Sequence, residues 1–198
     1  SESLFQWDNN FAWYYHGGID SEMKRRVESA GGRFENNDIR CTLMWNGPTD
    51  LDLHCNFSRS PYSGLDHLYY GNKRVGFGWL DVDANGGHIT SYEPVENIRW
   101  ENGKAPKTRY AFTVNNYCQR GPLPVPFKVE LQIHDQIFVY HGVVNSSYYN
   151  KRIFEFAYDG NNRVSVIGAE MEQSTQNVWN VESNNFVKVN GITLSPNM

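Results

Sequence analysis

Trp45-Asn46-Gly47-Pro48-Thr49-Asp50-Leu51-Asp52-Leu53-His54 and Trp79-Leu80-Asp81-Val82-Asp83-Ala84-Asn85-Gly86-Gly87 are the two stretches that decide the fold. Each carries Asp-x-Asp interleaved with aliphatic residues and adjoins turn-forming Asn and Gly. A strand sends alternate side chains to opposite faces. Asp50, Asp52 and His54 are therefore expected on one face while Leu51 and Leu53 enter a core. By the same rule Asp81 and Asp83 oppose Leu80 and Val82.

Outward from these stretches the period of two continues. It predicts strands near 39–45, 50–57, 67–70, 78–83, 95–100, 108–115, 126–133, 136–143, 151–158 and 163–168. Turn signals separate them: Asn46-Gly47-Pro48, Tyr70-Gly71-Asn72, Asn85-Gly86-Gly87, Asn102-Gly103, Gly121-Pro122 and Asp159-Gly160-Asn161-Asn162. About ten short strands with regular turns indicate an all-β, antiparallel β-sandwich rather than a parallel α/β sheet. Pro122, Pro124 and Pro126 suit the approach to a strand and not a central ladder. Before the strands, Asp20 or Ser21 caps a short N-terminal helix that Gly31-Gly32 stops, with Met23 and Val27 as its apolar stripe.

The chain of 198 residues is long enough for one sizeable core. The reading divides it into an aromatic N-terminal segment and helix (1–32) packed on the domain, a β-sandwich (33–170), and a polar linker with a C-terminal strand at Phe186–Val189 (171–198). Aromatic residues make up 15%, which suits pleated surfaces and also a sugar-binding face. The net charge of −4 argues against a phosphate-backbone binder, so no nucleic-acid partner is expected. Lys24-Arg25-Arg26 reads as a solvated helix face and Lys73-Arg74 as a hairpin tip. Cys41, Cys55 and Cys118 lack metal-finger spacing and point to a reducing compartment. No apolar run has the length of a membrane span or the form of a signal peptide, so the expected location is cytoplasmic.

Leu43-x-Trp45, Asp50-Leu51-Asp52-Leu53-His54, Tyr69-Tyr70-Gly71-Asn72, Gly78-x-Leu80-Asp81-Val82-Asp83, Pro94-Val95-Glu96-Asn97-Ile98-x-Trp100, Ala105-Pro106 and Tyr110-x-Phe112-x-Val114-x-x-Tyr117 occur in order. This set resembles the YfaP-like domain of unknown function, found in bacteria and their phages, and the resemblance adds a phage particle or the host cytoplasm to the expected locations. The resemblance covers Ile39 to Val144. It departs at Pro94-Val95-Glu96, where that family tends to have Gly-Pro-Glu, and at Lys107-Thr108-Arg109, which replaces a glycine ahead of Tyr110. The Asp-Leu-Asp-Leu block bears a fainter likeness to the calcium-binding TerD-type domains.

If both acidic stretches meet at one end of the sandwich, their carboxylates share a small volume. Two like charges about 4 Å apart repel by about 4 kcal/mol at an effective dielectric near 20. Such a cluster raises pKa values, spreads into water or recruits a cation. The expected metal ligands are Asp50, Asp52, Asp81, Asp83 and Glu96, with Asn85 beside them. An oxygen-only set suits calcium, which takes about six to eight oxygens. The structural reading of the same acids has them on a wet sheet face, paired with Arg40, Arg74 or Arg99, or building a turn.

His54, Tyr70, Trp79 and Asn85 are the candidate ligand-binding residues, with Tyr62, Tyr69 and Tyr92 as further exposed aromatics. Asp52-Leu53-His54 looks like the opening of a metallophosphoesterase site that His88 or His134 would complete, but the later blocks of that family are absent. A histidine hydrogen-bonded within a sheet face is the plainer reading. His134-Asp135 and His141 read as hairpin residues. There is no nucleophile elbow, P-loop or dinucleotide fingerprint, and Gly76-Phe77-Gly78 lacks the helix that would give it one. The sequence thus points to a non-enzymatic binding or assembly module for a protein or glycan ligand, with calcium as its expected cofactor. A metal-dependent hydrolase using Asp50, Asp52, His54 and His88, and a structural phage or stress-complex component docking through residues 1–18, are the alternatives.

Overall fold

The alternation predicted from the sequence builds two antiparallel sheets in a computed structural model, which describes residues 11–15, 19–60, 62–87, 90–161 and 165–167. The elements are β1 (Phe11–Tyr15), α1 (Ser21–Ser29), β2 (Asn37–Trp45), β3 (Asp50–Ser58), β4 (Leu65–Leu68), β5 (Arg74–Val75), β6 (Gly78–Val82), β7 (Val95–Glu101), β8 (Arg109–Cys118), β9 (Val125–Ile133), β10 (Gln136–Val144), β11 (Asn150–Ala157) and β12 (Ser165–Ile167). One sheet runs β1-β10-β9-β2-β7-β6-β5 and the other β12-β11-β8-β3-β4. The described residues form an all-β sandwich with one short helix. The expected strand at 186–189 lies outside the described residues, and β1 adds a strand from the aromatic segment that the periodicity did not mark.

The core lies between the sheets. Ile39, Cys41, Leu43 and Trp45 of β2, Ile98 and Trp100 of β7, and alternate residues of β9 face Leu51, Leu53, Cys55 and Phe57 of β3 and the aromatics of β8 and β11. Phe57, Trp100, Tyr110 and Phe156 pack ring on ring: Trp100 meets Phe57 and Tyr110 edge to face, and Tyr110 stacks between Phe57 and Phe156. Cys41 and Cys55 are buried free thiols within this core. Pro126 pairs with Val143 of β10 beyond the point where β2 ends, so it removes no donor from the central ladder.

α1 covers the outer face of the larger sheet. Asp20 caps it, its Oδ1 accepting from Met23 N–H at 3.0 Å. Met23 and Val27 form a second, smaller core with Phe34, Val82 and Val95. Beneath it Arg40 is fully buried, with Nη2 2.7 Å from Glu130 Oε1 and Nη1 2.6 Å from Thr42 Oγ1. Lys24 and Arg25 face solvent as predicted, but Arg26 does not. Its guanidinium donates to Trp45 O at 2.6 Å and to Asn46 Oδ1 at 2.7 Å, tying the helix to the loop that opens the first acidic stretch.

A bulge in β6 has the largest effect on the candidate site. Leu80 pairs with Ile98 and Val82 with Asn97, so Asp81 is an extra residue. Leu80 enters the main core while Val82 packs under the helix. The expected alternation breaks there.

Candidate metal centre

Asp50 and Asp52 leave β3 near its start. β4 pairs only with Cys55–Ser58, so the first half of β3 has no strand on that side. Glu96 occupies the gap: it reaches across from β7, and its Oε2 accepts a hydrogen bond from Leu53 N–H at 2.6 Å. One carboxylate oxygen from each of Asp50, Asp52 and Glu96 lies within 4.8 Å of the others. The three residues are 1%, 2% and 1% exposed, which leaves little water to screen them.

Each of these carboxylates has a buried oxygen without a hydrogen-bond partner: Asp50 Oδ1, Asp52 Oδ2 and Glu96 Oε1. Asp83 adds a fourth. Its Oδ1 is also buried and unpartnered, while Oδ2 pairs with Lys73 Nζ at 2.8 Å. Burial and mutual repulsion shape the titration of the group. Burial, with the charge of Asp83 added, holds the Asp50 carboxyl at about 6 against the opposing pull of Arg120. Burial and the charges of Asp50 and Asp83 push Asp52 up to about 8. Burial, then Asp52 and Asp83, drive Glu96 well above the usual carboxylate range. A group of this kind holds protons or a cation.

The surrounding loops are pinned. Asn85, at φ 62°, donates through Nδ2 to Gly47 O at 3.3 Å, Thr49 O at 3.3 Å and Ser91 O at 3.1 Å, and its Oδ1 accepts from Ser91 N–H at 2.6 Å. Arg120 Nη1 donates to Asn85 O at 2.6 Å, which places a guanidinium beside Asp50.

Of the residues expected to hold a metal, Asp50, Asp52 and Glu96 converge and Asp83 adjoins them. Asp81 does not belong to the group. It lies on the outer face opposite Leu80, where its oxygens accept from Arg99 Nε at 2.6 Å, Arg33 N–H at 2.8 Å and Asn97 Nδ2 at 2.8 Å, and the bulge parts it from Asp83 by putting Val82 on that same side. Asn85, expected to touch a ligand, is 4% exposed, and its amide is committed to loop carbonyls and an N–H. His54 faces a cluster of rings. Its Nδ1 lies 2.7 Å from His67 Nε2, and it stacks on Tyr69 with centroids 5.3 Å apart. Burial, then His67, lowers its pKa to about 4, so the ring is neutral near pH 7. Its Nε2 is 4.0 Å from Asp52 Oδ2.

Tyr70 is 40% exposed and packs against Tyr69 and Tyr117. Tyr69 and Trp79 are half-buried, with the Trp79 ring under the Arg74 guanidinium at 3.6 Å. His134-Asp135 forms the β9–β10 turn, whereas His141 sits inside β10 opposite Lys128. His88 lies outside the described residues. Lys73 and Arg120, the cations nearest the acids, carry no local sequence signal; only the topology brings them there.

Compared with known protein families, curated proteins and solved structures, the chain matches none. No helix among the described residues is long and apolar enough to cross a membrane.

Proposed function

We propose that this chain is a non-enzymatic β-sandwich binding or assembly module stabilised by a calcium ion, held by Asp50, Asp52 and Glu96 with Asp83 beside them. The supporting observation is the set of buried carboxylate oxygens without partners, three of them on residues converging within 4.8 Å. An unpaired buried charge costs several kcal/mol, and a divalent cation removes that cost for several carboxylates at once. The donors are all oxygen, which suits a hard cation. Calcium accepts irregular oxygen cages, whereas magnesium demands a near-octahedral shell and keeps several waters. The site is nearly closed to solvent, as structural metal sites are; catalytic ones keep a position open. Binding then belongs to the surface, where Tyr62, Phe77 and Tyr92 are 98%, 74% and 70% exposed. The bacterial or phage setting comes from the resemblance to YfaP-like domains, whose blocks span β2 through β8.

Thermal unfolding in EDTA and in calcium chloride tests this reading. A cation that binds only the folded state at a hundred times its dissociation constant adds about 2.7 kcal/mol, on the order of 5–10 °C for a domain of this size. An unchanged melting temperature refutes the cation, and an equal rise with magnesium refutes calcium as its identity.

A further inference from the structure

The turn between β5 and β6 holds an exposed ring where backbone preference opposes it. Val75 and Gly78 pair across Gly76 and Phe77, which have φ of 53° and 61°. Two left-handed residues make the type I′ hairpin that favours Asn-Gly. Gly76 is required, because a Cβ there would lie 2.7 Å from the Phe57 ring. Phe77 has no such explanation. It is 74% exposed, so no core packing offsets its conformation. Residues held against their preference at the surface cluster at binding sites.

Phe77 borders an open cleft of about 530 Å³ lined also by Arg74, Trp79, Arg99, Glu101 and Lys104. Arg99 is engaged by Asp81, and Glu101 lies 3.4 Å from both Arg99 and Arg33. Arg74 and Lys104 instead lie over rings, Arg74 at 3.6 Å from the Trp79 centroid and Lys104 at 5.6 Å from that of Phe77. Among the described residues neither has a carboxylate partner. The cleft thus offers two cations without a carboxylate partner and an exposed apolar ring on a tight hairpin.

We propose that this cleft binds a short acidic oligosaccharide, with Arg74 and Lys104 taking its carboxylates and Phe77 packing on the apolar face of a sugar ring. The inference rests on the binding-module reading above but not on the cation. An extended peptide fits less well, since β5 is a two-residue edge with too little backbone to accept an added strand. A nucleic-acid strand calls for a longer run of cations than two, and the chain's net charge is −4.

The test is calorimetric titration of the full chain with trigalacturonate, and with maltotriose as the neutral control, in calcium and in EDTA. Trigalacturonate is expected to bind and maltotriose to bind far more weakly. Arg74→Ala and Lys104→Ala each lower affinity about tenfold, the worth of one charge-assisted contact. Phe77→Asn lowers it similarly while melting no lower than the parent, because asparagine accepts the left-handed region. That combination separates a ligand contact from a folding defect. Trigalacturonate binding no tighter than maltotriose overturns the proposal, as does unchanged affinity in both Arg74→Ala and Phe77→Asn. Tighter binding of a polyglutamate peptide or an oligothymidylate overturns the sugar assignment. A calcium-dependent rise in melting temperature without trigalacturonate binding removes the ligand alone; the reverse removes the cation alone.

Discussion

Replacing Asp52 by asparagine should stabilise the cation-free protein under alkaline conditions and abolish most of its response to calcium. Two unit charges 4.8 Å apart, the limit of the separations among Asp50, Asp52 and Glu96, repel by about 3.5 kcal/mol at an effective dielectric near 20. The substitution removes two such pairs. Without a cation, the parent relieves this repulsion by retaining protons, with Asp52 pushed up to about 8. An unfolded Asp52 loses its proton near pH 4. Between pH 4 and pH 8 the folded state therefore binds more protons than the unfolded one. Stability falls by about 1.4 kcal/mol per pH unit, with a ceiling of roughly 5 kcal/mol across the window.

In EDTA at pH 8.5, Asp52→Asn should exceed the parent by about 3 kcal/mol, on the order of 10 °C in melting temperature. At pH 5, where the parent's Asp52 is protonated, the two should agree within about 1 kcal/mol. In excess calcium at pH 8.5 the order reverses, because the parent gains binding energy that the variant lacks. Calorimetry at both pH values decides the matter. A variant that loses the same stability at pH 5 and pH 8.5 in EDTA refutes the reasoning, because Asp52 would then be an ordinary hydrogen-bonded carboxylate.

Asp81→Ala removes the closer carboxylate of Arg99, which is 4% exposed, and leaves it only the longer contact to the half-exposed Glu101 at 3.4 Å; urea unfolding should show a loss of about 3 kcal/mol. The calcium-induced rise in melting temperature should survive, and its loss would return Asp81 to the metal group. Glu130→Ala strands the fully buried Arg40 and should cost a similar amount, about 3–5 kcal/mol, in chemical denaturation. The double replacement Arg40→Met with Glu130→Leu should recover most of it, because burying a charge pair carries a desolvation cost that apolar side chains avoid.

The β-sandwich was legible because its strands alternate so regularly. Every second residue of β3 is apolar, and the same holds for β9 and most of β8, so period and turn residues were enough to place them. The same alternation put Asp50 and Asp52 on one face of β3, but it gave no reason for Glu96, which shares the parity of Ile98 and Trp100, to meet them. What escaped depends on long-range geometry. Nothing local in Leu80-Asp81-Val82 announces a bulge, so the alternation rule kept Val82 with Leu80 and put Asp81 and Asp83 on one face. Asn85 has the side chain of a cation ligand, but its left-handed φ makes it a clamp on three loop carbonyls. Arg26 reads as one of three solvated cations until the loop at Trp45 closes over it. The two-residue β5 is shorter than any periodicity can reveal, and the significance of Phe77 appears only once Gly76 and Phe77 are seen to share a turn.

The extra residue in β6 works as an insertion. Upstream of Asp81 the strand keeps step with the main core, and downstream it keeps step with the helix side, which leaves Asp83 to rejoin the carboxylates. Deleting that single position would join Leu80 to Val82 in a regular ladder opposite Ile98 and Asn97, with Val82 still toward the helix and Asp83 still toward the carboxylates. The loss would fall instead on what Asp81 holds: Arg33 N–H and Asn97 Nδ2 would lose an acceptor, and the buried Arg99 would keep only Glu101 at 3.4 Å. The extra residue thus inserts an anion for Arg99 without altering the step of the strand that follows.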